Sequence, residues 1–199
     1  MGKLTFILGG ARSGKSSYAQ RLAEKHAGRV AFIATATPGD DEMAERILQH
    51  QKERPPGWGT LEIPFGVATA LASAPTGGAG AANPMQADII LLDCLTLLVS
   101  NLLFQGSQDE VDEGTAAARV ETEISGLLGF IRGSRADWII VSNEVGLGLV
   151  PPYPLGRIYR DLLGRANQEL AASADEVVWM VAGIPVPIQN YRENIGFKK

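Results

Sequence analysis

Cysteine and histidine are nearly missing from this chain: of 199 residues, one is cysteine, Cys94, and two are histidine, His26 and His50. A single cysteine excludes an internal disulfide, so nothing here requires an oxidising compartment. A basic excess is missing as well. The formal net charge is −4, which argues against a surface that tracks nucleic-acid phosphates. No apolar run reaches the roughly 20 residues of a membrane helix; the longest, 89–99, is interrupted by Asp93. The opening residues run straight into Gly9, leaving no room for the parts of a signal peptide. Together these absences predict a cytoplasmic protein without a membrane span or a nucleic-acid partner. No internal repeat is visible. The length favours a single domain over 1–199.

What the chain does have is alternation. Residues 3–8, 30–35, 88–93, 137–142 and 177–181 are short, continuously apolar runs that read as buried strands. Helical patterns fall at 16–26, 41–53, 95–104, 111–132 and 155–174. In the first of these, Ala19, Leu22, Ala23 and His26 recur at i, i+3, i+4 and i+7, one inward stripe. Pro38-Gly39-Asp40 predicts a turn whose Asp40 caps the second helix, and Pro55-Pro56 stops that helix. Residues 61–64 read as a short edge strand. The Gly-, Ala- and Pro-rich stretch at about 74–87 reads as a flexible surface loop. Continuously apolar strands alternating with helices mean an α/β fold, a mostly parallel sheet flanked by helices on both faces. Ligands of such sheets bind at the carboxyl ends of the strands, so the residues just after each strand carry the function.

The first of those positions holds a phosphate loop. Gly9, Gly10, Ala11, Arg12, Ser13, Gly14, Lys15 and Ser16 spell G-G-A-R-S-G-K-S, which fits G-x-x-x-x-G-K-[ST] between a strand and a helix. The glycines let backbone N–H groups curl around phosphate oxygens, and the helix start adds partial positive charge. Lys15 is expected on the β and γ phosphates and Ser16 on Mg²⁺. Asp93 ends the third strand, where P-loop enzymes keep the second carboxylate that organises Mg²⁺; it can also cap the helix at Leu95. Ala34, Thr35 and Ala36 end the second strand and flank the loop, suiting backbone contacts to a nucleotide.

Of the two histidines, His26 reads as a favourable charge at a helix carboxyl end. His50 has a different setting. Arg46, His50 and Arg54 are spaced i, i+4, i+8 and stack in one helical column. Two guanidinium neighbours disfavour the imidazolium form, and a neutral imidazole is a nucleophile. The same arginines would hold the phosphates of a nucleotide under attack. That suits a covalent phosphoramidate, which divides one nucleotidyl transfer into two steps. The alternative is a half-exposed helix histidine among solvated charges.

R-I-L-Q-H-Q-K-E-R-P at Arg46 to Pro55 and W-G-T-L-E-I-P at Trp58 to Pro64 closely resemble the bifunctional adenosylcobinamide kinase / adenosylcobinamide-phosphate guanylyltransferase family. So do the phosphate loop, D-D-E-M-A from Asp40, N-E-V-G-L-G-L-V-P from Asn143, G-R-A-N-Q from Gly164 and A-D-E-V from Ala174. The resemblance spans nearly the whole chain and departs at the Gly/Ala loop and after Ile184. It implies a P-loop NTPase fold with a RecA-like sheet, and a homotrimer. It implies GTP as cosubstrate, with ATP a second candidate, Mg²⁺, and a small-molecule corrinoid substrate, adenosylcobinamide and its phosphate. It implies that His50 carries a covalent GMP. Gln51, Lys52, Glu53 and Arg54 lie beside His50 and share its site. In the W-x-T-x-E-x-P block, Glu62 can accept from guanine N1–H and N2–H₂ together, which adenine cannot satisfy; otherwise it is a surface glutamate on an edge strand.

Asn143 and Glu144 follow the fourth strand, and Glu144 is placed to orient an attacking hydroxyl or a metal-bound water. Gly146 and Gly148 suit a loop that moves or approaches a ligand closely. Asn167-Gln168 suits a subunit contact or a substrate contact. Trp138 and Trp179 read as core residues, and Met43 and Ile47 as the buried side of the His50 helix. Two other functions fit the same chain. One is a P-loop small-molecule kinase acting on another alcohol, with His50 structural. The other is a nucleotide-binding regulatory switch, but guanine-specific switches carry N-K-x-D, and here Glu144 follows Asn143.

Overall fold

The five apolar runs become the inner strands of a seven-stranded sheet, and two four-residue strands, β3 and β7, form its edges, in the order β3-β2-β4-β5-β1-β6-β7. The computed structural model describes residues 2–26, 28–39, 41–52, 54–73, 86–106 and 111–188, with the side chains of Glu42, Met43, Arg46 and His50 outside that description. The elements are β1 (Leu4–Gly9), α1 (Lys15–Glu24), β2 (Val30–Ala34), α2 (Asp41–Lys52), β3 (Gly59–Glu62) and α3 (Val67–Ala72). They continue as β4 (Ile89–Asp93), α4 (Leu95–Leu103), α5 (Glu113–Gly133), β5 (Asp137–Asn143), α6 (Pro154–Ser173), β6 (Glu176–Val181) and β7 (Ile184–Pro187). Every pairing is parallel except that of β6 with β7. The expected cap Asp40 and residues 74–85 of the expected loop lie outside the described residues.

Both faces of the sheet are buried, as continuous rather than alternating apolar strands require. Phe6, Ile33, Ile90, Leu92, Trp138 and Ile140 point to one side, under α3, α4, α5 and α6. Ile7, Phe32, Leu91, Ile139 and Val141 point to the other, where Ala19 and Ala23 of α1 cover them. Burying each large side chain of this kind contributes about 1.5–3 kcal/mol. Trp138 is fully buried, whereas Trp179 is only partly buried against the core. The inward stripe of α1 is narrower than its sequence suggested. Ala19 and Ala23 are buried, while His26 is exposed, its Nδ1 4.0 Å from Asp137 Oδ2.

Two elements were not expected. The helix α3 is too short to show a period; its cap is the carboxylate of Glu123, which accepts from Gly66 N and Val67 N at 2.8 and 2.7 Å. The strand β7 contains Pro185 and Pro187, which a sheet interior would not tolerate, but it is the outermost strand and has one side free of partners within the sheet. Two starts differ by two residues: the edge strand expected at 61–64 is β3 at Gly59–Glu62, and α5 begins at Glu113, because Asp112 accepts from Thr115 N at 2.7 Å and caps it.

Register decides where the chemistry falls. Glu62, Ala34, Asp93 and Val141 are cross-strand partners in one row. Gly9 pairs with both Asn143 and Met180 at the same carboxyl end. Residues scattered over more than 80 positions of sequence are thereby collected at one edge.

Candidate active site

The turn between β1 and α1 is shaped by close approach. A Cβ on Gly9 would lie 2.5 Å from Met180 O and 2.8 Å from Ser13 Oγ, so only glycine fits. Gly14 ends the turn at φ 91°, in the left-handed region that glycine tolerates. It is the N-cap of α1 and supplies no side-chain cap, so the first amides of the helix stay available to an anion. Gly183 N, in the β6–β7 turn, donates to Ser13 O at 3.0 Å and braces the loop from outside. The Lys15 side chain is buried and donates from Nζ to Gly10 O at 2.7 Å. Burial holds its ammonium below the ordinary lysine value, with Cys94 and Asp93 pulling the other way.

This loop forms one wall of a cleft of about 880 Å³. Ala11, Arg12, Ser13, Gly14, Lys15 and Ser16 line it, and Ala34, Ala36 and Asp93 form its floor at the strand ends. The opposite wall is α2. Ala44, Ile47, Leu48 and Gln51, at i, i+3, i+4 and i+7, all line the cleft. The expected buried side of this helix is therefore its cleft-facing side: Ile47 is half-buried there, and the side chain of Met43 lies outside the described atoms. His50 occupies the position before Gln51 in α2; its ring, like the Arg46 side chain, is outside the description. Glu53 lies outside the described residues, and Lys52 is exposed and away from the cleft lining.

Arg54 and Glu62 line the cleft too. The helix ends at Lys52, so Arg54 does not extend the column of Arg46 and His50 as a helical residue. Its guanidinium instead lies 3.9 Å over the Phe32 ring, which stacks on Trp58. Its Nε is buried without a hydrogen-bond partner among the described residues, and burial holds the guanidinium below the ordinary arginine value. Gln51 Nε2 donates to Glu62 Oε1 at 3.1 Å, joining α2 to the edge strand. Gln51, Arg54 and Glu62 also line a side pocket of about 350 Å³ with Trp58.

Three expectations change on inspection. Thr35 is fully buried and turned away from the cleft. Asn167 contacts no solvent-facing site; its Oδ1 accepts from Ser142 Oγ at 2.7 Å and its Nδ2 donates to Asn143 O at 3.1 Å. It braces the end of β5, while Gln168 is exposed. Asp93 does not cap α4, whose N-cap is Cys94 without a side-chain cap. Glu144 lies beside the cleft residue Asn143 and accepts from Gly146 N. Phe32, Leu48 and Cys94 were missed as cleft residues. The stripe of α2 could have revealed Leu48, but no local signal marks the other two. Burial, with Asp93 adding to it, pushes the Cys94 thiol up to about 12, so this cysteine is not a nucleophile at neutral pH.

The donor set also fits Mg²⁺. Among the described residues no group of three or more His, Cys, Asp or Glu could hold a metal ion unaided. A hydroxyl, Ser16, and a carboxylate, Asp93, suit an ion that keeps several waters and shares the phosphates.

A family model described as cobinamide kinase / cobinamide phosphate guanyltransferase matches residues 5–188. The chain belongs to that family. It is 40% identical over 190 residues to the bifunctional adenosylcobalamin biosynthesis protein CobU of Salmonella typhimurium, covering 94% of this chain and 99% of that one. It is 42% identical over 183 residues to the bifunctional adenosylcobalamin biosynthesis protein CobP of Pseudomonas aeruginosa, covering 92% and 95%. Among solved structures it is similar to the RadB recombinase at 13% identity and a TM-score of 0.46, covering 89% of this chain and 73% of that one. As a member of the cobinamide family the chain is an enzyme, a kinase and guanylyltransferase of adenosylcobalamin biosynthesis. No helix among its described residues is long and apolar enough to cross a membrane.

Proposed function

We propose that this enzyme phosphorylates adenosylcobinamide and then moves GMP to the product through a covalent bond to His50. In the kinase step, Lys15 and the loop amides hold the β and γ phosphates of a nucleoside triphosphate. The hydroxyl of the substrate's aminopropanol arm attacks the γ-phosphorus, the bond to the β,γ-bridging oxygen breaks, and the nucleoside diphosphate leaves. In the transfer step, a neutral ring nitrogen of His50 attacks the α-phosphorus of GTP. The bond to the α,β-bridging oxygen breaks and pyrophosphate leaves. A phosphate oxygen of adenosylcobinamide phosphate then attacks the same phosphorus, the N–P bond breaks, and adenosylcobinamide-GDP is released. Mg²⁺ held by Ser16 and Asp93 would neutralise charge on the phosphates.

One observation supports this reading: the helix that contains His50 and the loop that contains Lys15 line the same cleft, the helix through Ala44, Ile47, Leu48 and Gln51. Glu62, drawn to α2 by Gln51, supports recognition of guanine. Mass spectrometry of the protein mixed with GTP and Mg²⁺ tests it. A GMP adduct on the peptide containing His50 is expected, with no AMP adduct when ATP replaces GTP. A protein that turns over GTP and never carries label on that peptide would leave only the kinase.

The enzyme is proposed to act in the cytoplasm as a homotrimer. The β5–α6 connection supports an assembly, for it exposes Leu147, Leu149, Val150 and Tyr153, with Leu149 97% exposed. Light scattering should give three times the 21.2 kDa of the chain. A monomer at micromolar concentration would overturn the assembly.

A further inference from the structure

We infer that Thr35 is a positioning residue, whose hydroxyl holds the end of β4 so that Asp93 keeps its place in the cleft. The inference rests on the reading of Asp93 as the carboxylate that organises Mg²⁺. Strands β2 and β4 pair in register up to Ala34 and Asp93, where the ladder ends. One residue further, Thr35 N reaches Asp93 O only at 3.4 Å. Beyond that β2 leaves the sheet, and its backbone offers the next residue of β4 nothing. The Thr35 hydroxyl takes over that duty. It accepts from Cys94 N at 2.9 Å and donates to Cys94 O at 2.7 Å, from 59 positions away in sequence. One side chain thus imitates both groups of a missing strand partner.

The clamp is itself clamped. Asn101 Nδ2, from α4, donates to Thr35 O at 2.8 Å and to Pro64 O at 2.9 Å. Thr35 is wholly buried, so water cannot replace the hydroxyl. Packing alone does not require threonine here, because valine has nearly the same shape. Valine would leave the N–H and C=O of Cys94 without their side-chain partner, next to the carboxylate. Asp93 would remain in the sequence and lose its fixed aim. Groups that orient a metal's ligands typically contribute about 10–100-fold in metal affinity.

The test uses the full chain with Thr35→Val, Thr35→Ser and Asp93→Asn. Thermal melting is recorded for each as Mg²⁺ is titrated at saturating GTP, so that the Mg²⁺ midpoint is read from binding as well as from the kinase rate over the same titration. Thr35→Val should raise the Mg²⁺ concentration for half-maximal rate by about 10–100-fold, with most of kcat recovered at high Mg²⁺. Thr35→Ser, which keeps the hydroxyl, should return the midpoint to the wild-type value. Asp93→Asn should be inactive at every Mg²⁺ concentration. An unchanged midpoint in a folded Thr35→Val, beside an inactive Asp93→Asn, overturns the positioning role alone. A wild-type Mg²⁺ profile in Asp93→Asn overturns the reading of Asp93 and the inference with it. If Thr35→Val does not fold, Asn101→Ala, which frees the Thr35 carbonyl, carries the same comparison; an unshifted midpoint there overturns the inference.

Discussion

His50→Ala is expected to lose GMP transfer by on the order of 10⁴-fold or more, because a covalent step cannot proceed without its nucleophile. Kinase activity should persist in part. Lys15 is held by Gly10 O within the phosphate loop, and the substrate hydroxyl, not the histidine, is the nucleophile in that step. Paired assays on one preparation decide it: release of nucleoside diphosphate for the kinase, and formation of the GDP-linked corrinoid for the transfer. Two intact activities would remove His50 from the mechanism. Two lost activities in a folded protein would mean that α2 shapes the cleft for both steps and that the division of labour drawn above is wrong.

Lys15→Met should lose both activities and yet not destabilise the fold. Two charge-assisted contacts to phosphate contribute about 3–6 kcal/mol together, on the order of 10²–10⁴-fold in nucleotide affinity. The stability result follows from burial. The Lys15 ammonium is held below its ordinary value of 10.5, chiefly by desolvation. A base with a depressed pKa in the folded state costs stability while it is charged. That cost is fully present below the depressed pKa and is relieved as pH rises through it toward 10.5. Methionine fills similar space without a charge, so at neutral pH the melting temperature should equal or exceed that of the wild type. Calorimetry for nucleotide binding and a thermal melt check the two halves separately. A marked drop in melting temperature would mean that the bond to Gly10 O outweighs desolvation.

Much of this could be read from local sequence, and what could not be read has a common physical cause. The run L-T-F-I-L-G followed by G-A-R-S-G-K-S is a strand, a turn and a helix start within a few residues, so its meaning is local. Asp93 at the end of I-I-L-L-D was legible for the same reason. The duty of the Thr35 hydroxyl was invisible because its partner, Cys94, is 59 positions away. The cap of α3 was invisible because Glu123 supplies it from 56 positions away. Arg54 was expected to continue a helical column, but Pro55-Pro56 ends α2 early and the guanidinium settles on Phe32 of a different strand. The sheltered side of α2 was read correctly at Ile47, but its shelter is the cleft. An apolar stripe records which face avoids water, not whether a core or a ligand cleft provides the shelter.

The central place of β1 has a consequence for synthesis of the protein. Its neighbours are β5 and β6, whose partner residues lie more than 130 positions downstream. On the ribosome, therefore, the nucleotide motif emerges early and stays shapeless until most of the nascent polypeptide has followed. In that interval a mostly apolar hexapeptide waits unpaired, a stretch prone to clumping until its partner strands have been made.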